Sequence, residues 1–140
     1  MEKYAIVGHQ VVCSAFIEKD KKFLIVMCPK FKVWRVPGGR PEYGEKVEKT
    51  LIREMQEEVG ISFENPIFVG FGQDIQLYFI KQKETSRLIL YFYVKTNEEL
   101  IIDSDEAEEY KWVSIEEMKK IENKEGALND FFKRNPNFGK

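Results

Sequence analysis

Residues 39–61 read Gly-Arg-Pro-Glu-Tyr-Gly-Glu-Lys-Val-Glu-Lys-Thr-Leu-Ile-Arg-Glu-Met-Gln-Glu-Glu-Val-Gly-Ile, and no other stretch restricts this chain so much. It opens as a loop, because Pro37, Gly38, Gly39, Pro41 and Gly44 all resist regular structure. A helix is expected from about Glu45 to Gly60, the glycine standing where a left-handed cap ends a helix. Inside it Glu54, Glu57 and Glu58 fall at i, i+3 and i+4. That spacing gathers three carboxylates on one face, with neighbours about 5–6 Å apart. Three such acids repel one another, and a solvated face would mix in lysines. A hard divalent cation relieves the repulsion, and all-oxygen ligands suit magnesium or manganese better than zinc. Val47, Leu51, Ile52, Met55 and Val59 form an apolar stripe on the other side, suited to burial against a sheet.

The same segment resembles the Nudix box, G-x5-E-x7-R-E-U-x-E-E-x-G-U, where U is a bulky aliphatic. Gly39, Glu45, Arg53, Glu54, Met55, Glu57, Glu58, Gly60 and Ile61 occupy every fixed position. Met55 is a mild variant of the more frequent aliphatic.

Length and composition agree with one small enzyme domain. A chain of 140 residues with 43% hydrophobic and 33% charged residues is an ordinary globule, large enough to bury a core. We expect a single domain over residues 1–140, without repeat or linker. The formal net charge of −2 gives no electrostatic reason for a duplex nucleic acid partner. No apolar run approaches the eighteen or so residues of a membrane helix, and the start shows no signal-peptide pattern. Cys13 and Cys28 lie in apolar segments without CxxC spacing or histidine partners, so two buried, reduced thiols in a cytoplasmic protein are expected.

Residues 10–17 and 22–28 are nearly all apolar or small, and residues 18–21 read as a polar turn between them. An antiparallel hairpin covered on both faces follows. His9 is expected as a strand-edge residue. Residues 33–36 form a short extended piece in which Trp34 and Arg35 point to opposite faces. Trp34 is either core packing or a wall for a base or sugar; Arg35 and Lys30 are candidate phosphate contacts. Residues 67–71 read as a strand interrupted by Gly70 and Gly72, where a bulge or close backbone approach is expected, and residues 75–81 and 87–95 as two more, joined by a polar loop at 82–86. The acidic run at 103–109 is followed by a last strand at 110–113. Ser114 and Glu117 make a capping box for a helix to about Ile121. A second short helix is expected over residues 126–132, and residues 134–140 are expected to fray. The pattern is α+β, an α/β/α sandwich.

The resemblance implies the Nudix fold, a mixed sheet between helices with a loop–helix–loop box, and Mg2+-dependent (or Mn2+-dependent) hydrolysis of a nucleoside diphosphate linked to some group X. It implies Glu54, Glu57 and Glu58 as metal ligands, with the carbonyl of Gly38 as a further one. Arg53, at i, i+4 to Glu57, would orient that ligand. Glu45 reads equally as a metal or water contact and as a carboxylate favoured by the helix dipole. Many proteins of the family carry a further glutamate in a loop before a strand ending in Trp, and Glu106 is the candidate here, ahead of Glu108 and Asp105. Gln76 and Leu77 stand where ADP-ribose hydrolases often have proline, and Tyr78 where diadenosine tetraphosphate hydrolases often have tyrosine. A MutT-type nucleoside triphosphate pyrophosphatase acting on a small-molecule nucleotide is the preferred reading. Dinucleoside polyphosphate or nucleotide-sugar hydrolysis, a non-catalytic nucleotide-binding domain, or an RNA-end processing or RNA-binding role that the acidic balance disfavours, are the alternatives. The strand aromatics suit a substrate cleft or a dimer interface alike, so monomer and homodimer both stay open.

Overall fold

Strand β1 (Gln10–Lys19) alternates its side chains between two cores. Cys13, Ala15 and Ile17 enter one, and Phe16 enters the other. Such a strand needs a covering layer on each face. The computed structural model, which describes residues 9–78, 83–103 and 109–140, supplies both. Strand β1 turns at Asp20 and Lys21, both at positive φ, into β2 (Lys22–Met27). The expected hairpin is present, with a longer first arm, a second arm one residue shorter and a tighter turn than the sequence suggests.

The hairpin stays paired only beside its turn, at Glu18↔Phe23 and Lys19↔Lys22. Beyond that the strands part and the chain returns between them. Strand β3 (Trp34–Arg35) pairs with β2, and β4 (Gly38–Gly39) pairs with β1 through Cys13↔Gly39 and Ser14↔Gly38. The glycines expected in a loop therefore form a short strand. Helix α1 (Val47–Val59) follows. Strand β5 (Ile67–Tyr78) and β6 (Lys83–Lys95) form a long antiparallel pair, and β6 runs parallel to β1 from Gln10↔Arg87 to Glu18↔Lys95. Strand β7 (Tyr110–Val113) covers the outer edge of β2. Helices α2 (Ile115–Lys120) and α3 (Gly126–Arg134) complete the described chain. The sheet order is β3-β2-β1-β6-β5, a mixed sheet.

Four readings need correction. The polar loop expected at 82–86 is strand from Lys83 on, because residues 83–86 pair with residues 75–78 of β5. The two strands expected at 67–71 and 75–81 are one, because Gly70 and Gly72 stay in the ladder and only a bulge between Phe68 and Gly70 interrupts it. The terminal segment is fixed rather than frayed: Phe138 packs on Phe16 at 4.7 Å between ring centroids, and the Lys119 ammonium donates to the Phe138 carbonyl. Ile52 is only half-buried; Leu51, Met55 and Val59 carry the buried stripe with Thr50. That stripe meets Cys13, Ala15, Ile17, Leu24, Val26, Phe92 and Val94. On the opposite face Phe131 and Leu128 of α3 and Met118 of α2 pack on Phe16, Phe23, Ile89 and Tyr91. This is the α/β/α sandwich. Among the described residues no helix is long and apolar enough to cross a membrane.

Candidate active site

Gly60 ends α1 in the left-handed conformation, φ 69°, and its N–H donates to the Met55 carbonyl. The other end has no side-chain cap at Lys46. Glu45, just ahead of the helix, instead folds its carboxylate back over the first turns, accepting from Thr50 Oγ1 at 2.7 Å and from the Glu42 N–H at 3.1 Å.

Arg53 closes this arrangement. Its Nε and Nη2 grip the two oxygens of Glu45, each at 2.9 Å, a bidentate pair. Nη1 donates to Glu54 at 2.8 Å and to Glu57 at 3.4 Å, and Nη2 also reaches the Arg40 carbonyl at 3.2 Å. One guanidinium thus ties the loop, the helix start and two of the three clustered acids. The Arg53 hydrogen bonds, then that from Thr50, hold the Glu45 carboxyl down at about 2. Glu45 in turn raises the Arg53 guanidinium above its usual range; burial opposes the shift, and Glu54 adds to it. The expected Arg53–Glu57 contact is present, but it is the longest of the set.

Glu58 points elsewhere. It is 1% exposed and accepts from Arg35 Nη2 at 3.1 Å. Burial works against the Arg35 charge, but Glu58 and Glu125 outweigh it and the guanidinium stays protonated. The Asp103 N–H donates to the Glu58 carbonyl, which brings the first residue of the acidic run to the end of α1. Glu106 itself lies outside the described residues.

Gly39 joins the carboxylates to the sheet. A Cβ there would overlap the Glu54 carboxylate, and one on Gly38 would overlap Ser14 Oγ. Only glycine lets β4 pass between β1 and the acidic face. On the sheet side of Gly39 lies a cavity of about 140 Å³, lined by Gln10, Ser14, Arg35, Gly38, Arg87 and Glu125 among others. Arg87 and Glu125 went unread in the sequence because they come from separate segments with no common spacing. Arg87 grips Asp74 with Nε at 2.8 Å and Nη2 at 2.6 Å, and reaches Glu125 at 3.1 Å. Burial works against the Arg87 charge, but Asp74 and Glu125 raise it overall; burial pushes the Glu125 carboxyl up while Arg87 and Arg35 oppose the shift. The Glu125 N–H donates to the Trp34 carbonyl at 2.9 Å, so the loop before α3 is latched to β3.

Of the other sequence candidates, Trp34 packs against the core beneath α2 and α3, with the Lys111 ammonium 4.5 Å from its ring centroid. Lys30 lies over the Phe31 ring at 5.7 Å. Neither lines the cavity. Tyr78 ends β5 opposite Lys83.

Among the described residues no three acids converge into a ready metal cage: Arg53 holds Glu54 and Glu57, while Glu58 turns to Arg35. Their chemistry nonetheless suits a hard cation, being carboxylate oxygens on successive turns of one helix beside a glycine-narrowed strand.

The NUDIX domain family pattern matches residues 8–134. The chain belongs to this family. An 8-oxo-dGTP diphosphatase of Buchnera aphidicola subsp. Schizaphis graminum is 29% identical over 112 residues, covering 78% of this chain and 79% of that one. An RNA pyrophosphohydrolase of Cereibacter sphaeroides is 32% identical over 99 residues, 61% of each chain. The chain spans less than two thirds of the length of the first curated relatives it matches, 39% and 61%. Among solved structures, the MutT protein of Methanosarcina mazei superposes with a TM-score of 0.75 at 23% identity, covering 94% of this chain and 95% of that one. This Nudix domain shares that fold.

Proposed function

We propose that this chain is a divalent-metal-dependent pyrophosphohydrolase that cleaves a phosphoanhydride of a nucleoside triphosphate, in the manner of MutT. The observation that carries the reading is the acidic face of α1, gripped by Arg53 and Arg35, with a polar cavity directly across Gly39. Relatives named as an 8-oxo-dGTP diphosphatase and an RNA pyrophosphohydrolase support phosphoanhydride chemistry at the 5′ end of a nucleotide.

Glu54, Glu57, Glu58 and the Gly38 carbonyl are the ligands for magnesium or manganese, which when bound supplies charge neutralisation at the phosphate oxygens and makes water more acidic. Arg53 holds Glu54 and Glu57 in place by spending one guanidinium on both. Arg35, which bonds Glu58 and lines the cavity, is our candidate contact for a phosphate oxygen. The cavity receives the nucleoside, so the scissile bond lies over the carboxylates. Glu106 is our candidate base for the attacking water. The nucleotide is a free small molecule rather than duplex nucleic acid, given the net charge of −2, and we place the protein in the cytoplasm on its two free thiols.

Incubation with magnesium and a panel of nucleoside triphosphates, dinucleoside polyphosphates and nucleotide sugars tests this, with products separated by chromatography. Triphosphates are expected to yield the monophosphate and pyrophosphate, and Glu57→Gln or Glu58→Gln to reduce turnover at least ~100-fold. Turnover confined to dinucleoside polyphosphates or nucleotide sugars would replace the substrate assignment. Nucleotide binding without turnover would make this a binding domain.

A further inference from the structure

The cavity beside Gly39 ends in a corner whose charge is already spent. Arg87, 7% exposed, faces two carboxylates: both oxygens of Asp74 and Oε2 of Glu125. Asp74 also accepts from the Ala127 N–H at 2.9 Å, which fixes it to the start of α3. No positive charge is left there for a phosphate, so this end suits a neutral group that hydrogen-bonds.

Two atoms at this corner keep hydrogen-bonding capacity. Arg87 Nη1 and Glu125 Oε1 receive no hydrogen-bond partner from the described residues, and both residues line the cavity. Behind them the Tyr91 hydroxyl is fully buried and lies within the field of the Glu125 carboxylate. The loop that carries Glu125 is latched to β3, so the pair is held in place.

We propose that Arg87 and Glu125 read the nucleobase and select bases with an exocyclic amino group beside a ring acceptor, adenine or cytosine, over their oxo counterparts. Glu125 Oε1 accepts from the amino N–H, and Arg87 Nη1 donates to the adjoining ring nitrogen. An oxo base in the same register turns a carbonyl to the carboxylate and a ring N–H to the guanidinium, which mismatches both contacts. Sliding a uracil to present its N3–H gives its O2 to Arg87 but sets its O4 beside the Glu125 carboxylate. Guanine offers two adjacent donors, which call for both carboxylate oxygens, and Arg87 already holds one. A site built to hydrogen-bond a group rejects the analogue that lacks it far better than an apolar pocket would.

This inference rests on the proposed reading of the cavity as a nucleotide site, and its test does not need turnover. Binding of CMP against UMP, and of AMP against IMP, is measured by calorimetry in magnesium. The wild-type protein and Glu57→Gln are expected to favour the amino member of each pair by about 10–100-fold. In Glu125→Gln, Arg87 keeps the amide oxygen and the amide N–H enters the cavity, so the preference inverts or vanishes. Arg87→Lys keeps a cation for Asp74, removes Nη1 and abolishes the preference; it serves if Glu125→Gln does not fold. Equal affinity within each pair in the wild type, no binding of any of the four, or a preference unmoved in both variants overturns the proposal. Failure to hydrolyse triphosphates with the base preference intact sinks only the proposed reaction. Hydrolysis without a base preference sinks only this inference.

Discussion

Arg53 concentrates more of the site than any single acid does, since its five donors serve Glu45, Glu54, Glu57 and a loop carbonyl. Lysine keeps the charge but not the fork. Arg53→Lys is therefore expected to lower kcat about 10–100-fold with a smaller change in KM, in steady-state kinetics on whichever triphosphate is turned over. Glu45 supplies a pH signature at the same spot. Its folded pKa, about 2, lies below its ordinary value of 4.5, so it adds stability above the ordinary value that is lost as pH falls toward 2. Acid titration followed by circular dichroism is expected to show that loss in the wild type and a flatter acid limb in Glu45→Gln; identical limbs would remove Glu45 from the balance. These residues were legible because one helix repeats at a fixed angle. The Arg35–Glu58 bond was not, since it joins positions 23 residues apart across a split in the sheet. Arg87, Asp74 and Glu125 meet only through strand register and a loop latch, which no local spacing encodes.

Among the elements, α1 is defined at its two ends by different means, and two glycine substitutions separate them. Gly60 sits at φ 69° with Ile101 close by, so Gly60→Ala is expected to destabilise the fold by about 1–2 kcal/mol in urea unfolding. Gly39 has no such backbone demand, but alanine there drives the Glu54 carboxylate out of its place. Gly39→Ala is expected to remove activity out of proportion to its effect on the melting temperature. A parallel loss of both would show that β4 fails as a strand instead. The existence and kind of most elements followed from periodicity and caps; the Ser114–Glu117 box is present as read. Glycine was taken as a break at Gly38 and Gly39, where pairing with β1 absorbs it. At Gly70 and Gly72 the expected bulge and close backbone approach are present, and the strand continues through both.

At the scale of the molecule, the sandwich keeps its two jobs on opposite faces of one sheet. The α3 face is an aromatic core, with Phe131 packed on Phe16 at 5.1 Å and on Tyr91 at 4.8 Å between ring centroids. The α1 face buries an apolar stripe and turns its acids along the edge. Those three acids outnumber the two guanidiniums, Arg53 and Arg35, that hold them. A cation that binds the folded chain and not the unfolded one adds stability by mass action, roughly 2.7 kcal/mol at a hundred times its Kd. Magnesium is therefore expected to raise the melting temperature of the wild type by several degrees in scanning calorimetry, and to do little for the Glu57→Gln, Glu58→Gln double variant. Phe131→Ala is expected to cost about 3–5 kcal/mol, because it opens the opposite core. Yet it leaves the magnesium increment in place, since the sheet lies between that core and the carboxylates. An increment lost in Phe131→Ala would mean that the two faces are coupled through β1. An increment kept in the double variant would place the cation elsewhere than on α1.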